Sequence, residues 1–355
     1  MNQSDYFMHR SILEQPAAFK NILTSPNSDY REVSQILKNS KNIFLVGTGS
    51  SLHAALIGRF ILEKYMENKN IMAYSSFEFS NYTPDLSKND TVIVISHRGY
   101  KMYSYDSLKK ARNAGCKILA ITGISSTIKR GDADFIFTTV EQEKSSAHTI
   151  SLTGAVAVIL RLSISSKLEA EHGDESLEKI AGSIVLAMED TLNLERELMD
   201  LSNRMDFSHR IWICGGGPNS ITAMEGALKM QETSYVTAYG YEVEQLIHGP
   251  VRAADLENDI FLCICTSGKS YERMQNFAKT LRSLNAEVIE VTDRKDSEGE
   301  NVVHVQMVDE ELSPVVNLIV LQLLSLSIAV AIGKNPDSFR SDEPDFVRMD
   351  EMIKL

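Results

Sequence analysis

Short uninterrupted apolar runs recur along the chain. Each opens into a glycine- or serine-rich loop and then into a stretch with helical periodicity. Asn42-Ile43-Phe44-Leu45-Val46-Gly47 predicts a strand, and an amphipathic helix follows through Tyr65. Arg210-Ile211-Trp212-Ile213-Cys214-Gly215 repeats the pattern, with a helix through Tyr235. Asp90 to Ser96 matches Asp259 to Cys265 as the next strand. Leu108 to Gly123 matches Phe277 to Asp293: a helix, a small turn (Asn113-Ala114-Gly115; Leu284-Asn285-Ala286) and a strand ending at Thr122 or Thr292. A last short strand follows in each copy, Asp134 to Phe137 and Val302 to Val305. Asn42 and Arg210 stand 168 positions apart, and Thr122 and Thr292 stand 170 apart, so the chain is two copies of one unit.

Continuous apolar strands alternating with helices imply parallel sheets covered on both faces. The expected architecture is α/β: two tandem doubly wound, flavodoxin-like domains. The expected layout is a helical arm at 1–30, a first domain at 31–170, a charged helical connector at 171–204, a second domain at 205–340 and a tail at 341–355. Ligands of such sheets bind at the carboxyl ends of the strands. That singles out the loops Gly47–Ser51, Ser96–Lys101, Gly215–Ser220 and Thr266–Ser270. The run from Ser313 to Gly333 is long enough to span a membrane. It begins Ser-Pro and carries Asn317, Gln322, Ser325 and Ser327, which favours a helix buried between layers.

At 355 residues, 43% of them hydrophobic, the chain is sized for two globular domains. A net charge of −12 argues against nucleic acid or an anionic membrane as the main partner. An anionic substrate then needs locally placed donors. The start Met1-Asn2-Gln3-Ser4-Asp5 is polar with no apolar stretch behind it, so no signal peptide is expected and the cytoplasm is the expected location. Cys214, Cys263 and Cys265 lie in strand-like runs and Cys116 at the start of one, which predicts buried free thiols. Cys263-x-Cys265 has no histidine or second cysteine pair at zinc spacing, so no metal site is expected.

The chemistry concentrates in Glu225-Gly226-Ala227-Leu228-Lys229-Met230-Gln231-Glu232-Thr233-Ser234-Tyr235, followed by His248-Gly249-Pro250. Lys229 and Glu232 are three apart and share one helix face. An amine, a carboxylate and an imidazole are the groups that open a sugar ring and move a proton beside a carbonyl. Each has a plainer reading: Lys229 paired with Glu225, Glu232 solvated, His248 structural. Thr48-Gly49-Ser50-Ser51 joins a strand to a helix start, where backbone amides and two hydroxyls suit a phosphate, or serve as a cap and tight turn.

These features resemble the SIS family of sugar-phosphate isomerases and binding domains, with likeness to the isomerase half of glucosamine-6-phosphate synthase and its stand-alone deaminase and deglycase relatives. The residues that carry it run from His9-Arg10-Ser11-Ile12-Leu13-Glu14-Gln15-Pro16, through Gly49-Ser50-Ser51 and Phe77-Glu78-Phe79, to Glu225–Lys229 with Glu232 and Glu244-x-x-x-His248-Gly249-Pro250. The resemblance implies a phosphate held at Gly49, Ser50, Ser51 and the loop Ser96–Lys101, and a sugar touched by Ser145 and Ser146. It implies Glu232 as general base, His248 as the ring-opening group and Lys229 as the lysine that forms a Schiff base with a keto-sugar. It also implies a homodimer whose His248 loop reaches the neighbouring subunit's site. No cofactor and no metal are implied.

The chain departs from the family at three places. In Ser96-His97-Arg98-Gly99-Tyr100-Lys101 only Ser96 and Gly99 fit the usual hydroxyl pattern; Arg98 and Lys101 replace hydroxyls with cations, able to grip a phosphate or to read a carboxylate instead. Thr149 stands where the family has a lysine. In the tail, Arg348 aligns with a family arginine, whereas Lys354 lies about two residues beyond the expected lysine. Thr266-Ser267-Gly268-Lys269-Ser270 fits the hydroxyl pattern better than the first-half loop, although the relatives leave that second loop unused. Met1 is followed by Asn2, so no N-terminal cysteine nucleophile for glutamine is encoded here. The implied activity is aminosugar-phosphate deamination, glucosamine 6-phosphate to fructose 6-phosphate and ammonia. The alternatives are a fructosamine-phosphate deglycase, a plain phosphosugar isomerase and, in another class, a non-catalytic sugar-phosphate-binding regulator.

Overall fold

The structure, a computed structural model, describes residues 3–66, 69–83, 85–167, 173–297, 299 and 301–353. Two compact units emerge. One contains residues 14–143 and 150–185; the other contains 1–13, 144–149 and 186–355.

The elements run α1 (Phe7–Thr24), α2 (Asp29–Asn39), β1 (Asn42–Gly47), α3 (Ser50–Tyr65), β2 (Asn70–Ser75), α4 (Ser76–Tyr82), β3 (Thr91–Ile95), α5 (Met102–Asn113), β4 (Lys117–Thr122), β5 (Phe135–Thr138), α6 (Ile150–Lys167) and α7 (Gly173–Leu192). They continue α8 (Glu195–Arg204), β6 (Ile211–Gly215), α9 (Asn219–Thr233), β7 (Ala238–Glu242), α10 (Val243–Ile247), β8 (Ile260–Ile264), α11 (Tyr271–Ser283), β9 (Glu287–Thr292), β10 (Val302–His304), α12 (Ser313–Ala331) and α13 (Pro344–Ile353).

In the first unit five parallel strands lie in the order β2-β1-β3-β4-β5. β3 is buried along its whole length, which is why it reads as an unbroken apolar run. Phe44, Val46, Val92, Val94, Ile118 and Ala120 form one core face with Phe79 of α4 and Leu108 of α5. On α6, α3 and α2 pack from the chain's own flanks. Gln15 and Arg161 tie α1 to α6 within this unit, through Gln15 with Thr153 Oγ1 (3.0 Å) and Arg161 Nη1 to the Ile22 carbonyl (2.8 Å).

The second unit repeats the design, with parallel order β10-β9-β8-β6-β7, the same sequence of strands read from the other edge. The repeat extends to side chains at the strand starts. Asp90 accepts from Ser87 N and Asn42 Nδ2, both at 2.7 Å; its counterpart Asp259 accepts from Asp255 N and Trp212 Nε1, both at 2.8 Å. Both sheets switch direction between the first and third strands of their repeat, β1/β3 and β6/β8, and such a switch point opens a crevice at the carboxyl ends.

Each sheet has five strands where the apolar pattern predicts four. β2 and β7 are edge strands, half-covered and polar in part (Asn70-Ile71-Met72-Ala73-Tyr74-Ser75; Ala238-Tyr239-Gly240-Tyr241-Glu242), so no continuous apolar run marks them. The run from Ser313 is the buried helix α12. It is the one helix among the described residues long and apolar enough to cross a membrane, and 89% of that window is buried. α9 and α8 pack against it, so the end of the expected connector belongs to the second unit's core. All four cysteines are free and buried; burial pushes the Cys116 thiol up to about 11.

Candidate active site

In the first unit, β1 ends in Gly47, and a Cβ there would lie 2.4 Å from the Ser51 backbone. Glycine is therefore required for α3 to start so close over the strand end. Gly49 has φ +58°, left-handed backbone that glycine adopts without strain. The carbonyl of Gly49 accepts from Leu52 N (2.8 Å) and His53 N (3.1 Å), which turns the chain into α3. Thr48 and Gly49 are exposed, and Ser50 and Ser51 are half-buried at the first turn of the helix. A helix N-terminus is a favourable place for an anion, and this one carries two half-buried serines at its first turn.

The neighbouring loop follows β3. Ser96 and His97 are buried, and Gly99 (φ +85°) lies so close to Ser126 and Thr127 that a Cβ would come within 2.8 Å of both hydroxyls. His97 faces inward: its Nε2 donates to the Glu141 carbonyl (3.2 Å), and its ring lies beside Gly123. Burial holds the imidazole below its ordinary value against the opposing pull of Glu143. His97 is thus engaged within this unit through its Nε2. Arg98 reaches the Tyr100 hydroxyl (3.0 Å), and Lys101 Nζ lies 5.5 Å from the Tyr100 ring. Tyr100 and Lys101 are exposed and Arg98 is half-buried, so the cations that replace the family's hydroxyls face solvent.

Glu143 is buried and accepts from Ser151 N (3.0 Å) and Ser151 Oγ (2.5 Å) at the start of α6, so it works as that helix's cap. The Ser145-Ser146 segment falls in the second unit. There Ser145 is fully buried and accepts from Ala147 N (3.3 Å), while Ser146 is half-buried.

The second unit carries the acid–base groups. On α9, Glu225, Lys229 and Glu232 occupy one face at i, i+4 and i+7. Lys229 is 1% exposed and Glu225 is fully buried; Lys229 Nζ lies 3.3 Å from Glu225 Oε1 and donates to Glu232 Oε2. The Glu232 side chain is 16% exposed. Lys229 is thus in contact with both Glu225 and Glu232 on this face of α9.

His248 follows α10 and its side chain is 77% exposed, with Nε2 3.2 Å from Glu244 Oε2. Arg273 of α11 also bonds Glu244 and holds that carboxylate below its usual range. Arg273 was not legible as part of this cluster, because it lies 29 positions from Glu244 with no local pattern to mark it. In the tail, Arg348 is exposed on α13, and Lys354 lies outside the described residues.

The second unit's loops at the same strand ends differ from the first. Gly215 is pressed against Asn219, whose Nδ2 donates to Ser313 Oγ (2.8 Å) and Thr266 Oγ1 (3.1 Å) in a buried network closed by Asn317. Ser267 Oγ donates to Asp293 Oδ1 (2.8 Å).

Tandem parallel sheets of this order, with glycine and serine loops at their switch points, define a class of two-domain α/β protein. Residues 36–163 and 207–332 both match the SIS domain, and the chain belongs to the SIS domain family. It is 30% identical over 345 residues to a glutamine–fructose-6-phosphate aminotransferase (isomerizing) of Thermococcus kodakarensis, covering 95% of this chain and 57% of that protein. The chain thus spans little more than half the length of that relative. In structure it is similar to the C-terminal domain of glucosamine-fructose-6-phosphate aminotransferase from Francisella tularensis (TM-score 0.83, 21% identity, 94% of this chain and 97% of that one). It is also similar to a glucosamine-6-phosphate deaminase from Thermotoga maritima (TM-score 0.72, 17% identity, 94% and 97%).

Proposed function

We propose that the chain is a sugar-phosphate aldose–ketose isomerase-type enzyme that removes the amine from an aminosugar phosphate, with glucosamine 6-phosphate as the substrate and fructose 6-phosphate and ammonia as products. The observation that carries this reading is the carboxylate of Glu232, held on α9 by the buried Lys229 with its side chain 16% exposed. A general base needs that combination of a defined position and partial desolvation.

Roles follow from the chemistry of each group. The Gly49-Ser50-Ser51 turn of the first unit binds the phosphate. His248 protonates the ring oxygen and opens the hexose; its exposure suits a loop that completes a second chain's site, so the working form is a homodimer. Glu232 takes the proton from C2 of the open-chain aminoaldose and returns it to C1. The amine-bearing C2 is then an imine; water adds there and ammonia leaves, giving the ketose. Lys229 holds Glu232 in place through their contact on α9. The Thermotoga maritima structure described as a deaminase shares this fold, and the first-half cradle and second-half acid–base helix are both present in this chain.

Ammonia release from glucosamine 6-phosphate by the purified protein tests the reading. Turnover that disappears in Glu232→Gln while fructose 6-phosphate still binds supports it. Tight binding of a sugar phosphate with no turnover in the wild type overturns it in favour of a non-catalytic regulator.

One observation favours a second substrate within the same chemistry. Arg98 and Lys101 present cations where the family has hydroxyls, and a guanidinium pairs a carboxylate as well as a phosphate. A fructosamine phosphate conjugated to an amino acid carries such a carboxylate. Faster turnover of that conjugate than of glucosamine 6-phosphate selects the deglycase.

A further inference from the structure

The loop from Ser96 to Lys101 turns one side chain in and the next one out. His97 is buried, Arg98 is half-buried, and Tyr100 and Lys101 are exposed. His97 meets two other loops at the carboxyl end of the same sheet. Its Nε2 donates to the Glu141 carbonyl at 3.2 Å. Its own carbonyl accepts from Gly123 N at 2.9 Å and from Gln142 Nε2 at 3.1 Å. A Cβ on Gly123 would stand 2.6 Å from the ring, so glycine there is what leaves room for the imidazole. One residue on, the Arg98 carbonyl accepts from Thr127 N at 3.1 Å. The backbone at 97 and 98 is therefore pinned to the loops that follow β4 and β5, and the Arg98 side chain starts from a fixed point. Its guanidinium donates to the Tyr100 hydroxyl at 3.0 Å. A hydroxyl at position 98 would need little aiming. A guanidinium has rotamer freedom whose loss weakens binding unless its base and its tip are already held. His97 holds the base and Tyr100 the tip.

We propose that His97 is a positioning residue for substrate binding: it pins the Ser96–Lys101 loop so that Arg98 is presented to an anionic group of the ligand. The inference rests on the proposed function for the identity of that ligand. It goes beyond it by giving a buried imidazole a part in affinity, exerted through its neighbour.

Two substitutions separate this role from the filling of space. Gln carries its amide nitrogen as many bonds from the backbone as imidazole Nε2, and Asn stops one bond short. Dissociation constants for fructose 6-phosphate are measured by isothermal titration calorimetry on the wild type, His97→Gln, His97→Asn, Arg98→Ala and the double variant His97→Asn/Arg98→Ala, at a temperature where melting curves show each folded. Ammonia release from glucosamine 6-phosphate gives KM and kcat in parallel. His97→Asn should weaken binding about 10- to 100-fold, with KM raised to match and kcat changed little. His97→Gln should recover most of the loss. In the Arg98→Ala background His97→Asn should add little, because the two residues act through one contact. Wild-type affinity in folded His97→Asn, an equal loss in His97→Gln, or additive losses with Arg98→Ala would each overturn the proposal. Gln142→Ala frees the same carbonyl from the other side and should also weaken binding. Should His97→Asn not fold, Gln142→Ala carries the test, and wild-type affinity there overturns the proposal equally. If the wild type shows this binding pattern and releases no ammonia, the positioning role stands and the deaminase reading fails. If it binds neither sugar phosphate, both fail.

Discussion

Lys229 Nζ lies 3.3 Å from Glu225 Oε1, one helical turn apart on α9, with both side chains sealed from solvent. Removing one charge of such a pair leaves the other uncompensated, which costs about 3–5 kcal/mol. Lys229→Met should therefore lower the urea midpoint sharply, and Glu225→Gln should do so less, because Lys229 keeps its contact with Glu232. The double variant should recover much of the loss, because it buries no unpaired charge. A double-mutant cycle by equilibrium denaturation measures the coupling; additive losses would mean that the two groups do not share an interaction.

Lys229 also donates to Glu232, so the two kinds of damage separate by assay. Glu232 is partly exposed and its conversion to Gln should leave stability within about 0.5 kcal/mol, the range for surface changes. Its effect falls on turnover instead, with kcat reduced about 10²- to 10⁴-fold, the usual contribution of a general base, and KM changed little. Steady-state ammonia release gives both constants. A raised KM with unchanged kcat would make Glu232 a binding group.

Much of this arrangement is legible in the chain, for physical reasons that differ by element. β1, β3, β6 and β8 are covered on both faces, so their apolar runs announce them. β2 and β7 are sheet edges with mixed faces, and only pairing to β1 and β6 defines them. Lys229 and Glu232 are visible as a helix-face pair because their geometry is local. The structural work of His97 is not, since it depends on the Glu141 carbonyl 44 positions away. The bond from the Lys269 amide to Glu310 is hidden for the same reason, since it spans 41 positions along the chain.

His97 gives a pH dependence with a defined sign. Burial sets its folded value below the 6.5 of an exposed imidazole, opposed by the charge of Glu143 and the Glu141 carbonyl and reinforced by Arg98. The unfolded chain therefore binds more protons than the folded one just below pH 6.5, and stability rises with pH in that window. The contribution is present above about 6.5, the unfolded value, and is lost as pH falls toward the depressed folded value. Denaturation midpoints measured from pH 7.5 to 5.5 should fall more steeply in the wild type than in His97→Asn. Parallel curves would place the sensitivity in other groups.

Trp212 is the chain's single tryptophan, and its Nε1 donates to the buried Asp259 at 2.8 Å. The same carboxylate accepts from Asp255 N at 2.8 Å and from the half-exposed Arg210. Burial alone would raise Asp259, but these donors outweigh it and hold the carboxyl below 3.8. A depressed carboxyl contributes stability that is present above its unfolded value and is lost as pH falls through the folded one. Asp259→Ala strands the buried Trp212 donor, which costs about 1–3 kcal/mol when left unpaired, so it should lower the guanidinium midpoint. Asp259→Asn keeps one acceptor oxygen and should lose less. Trp212 emission reports both transitions directly. In acid titration the wild type should lose its folded signal with a component below pH 3.8 that Asp259→Asn lacks, and an identical acid transition in the two proteins would exclude Asp259 as its source.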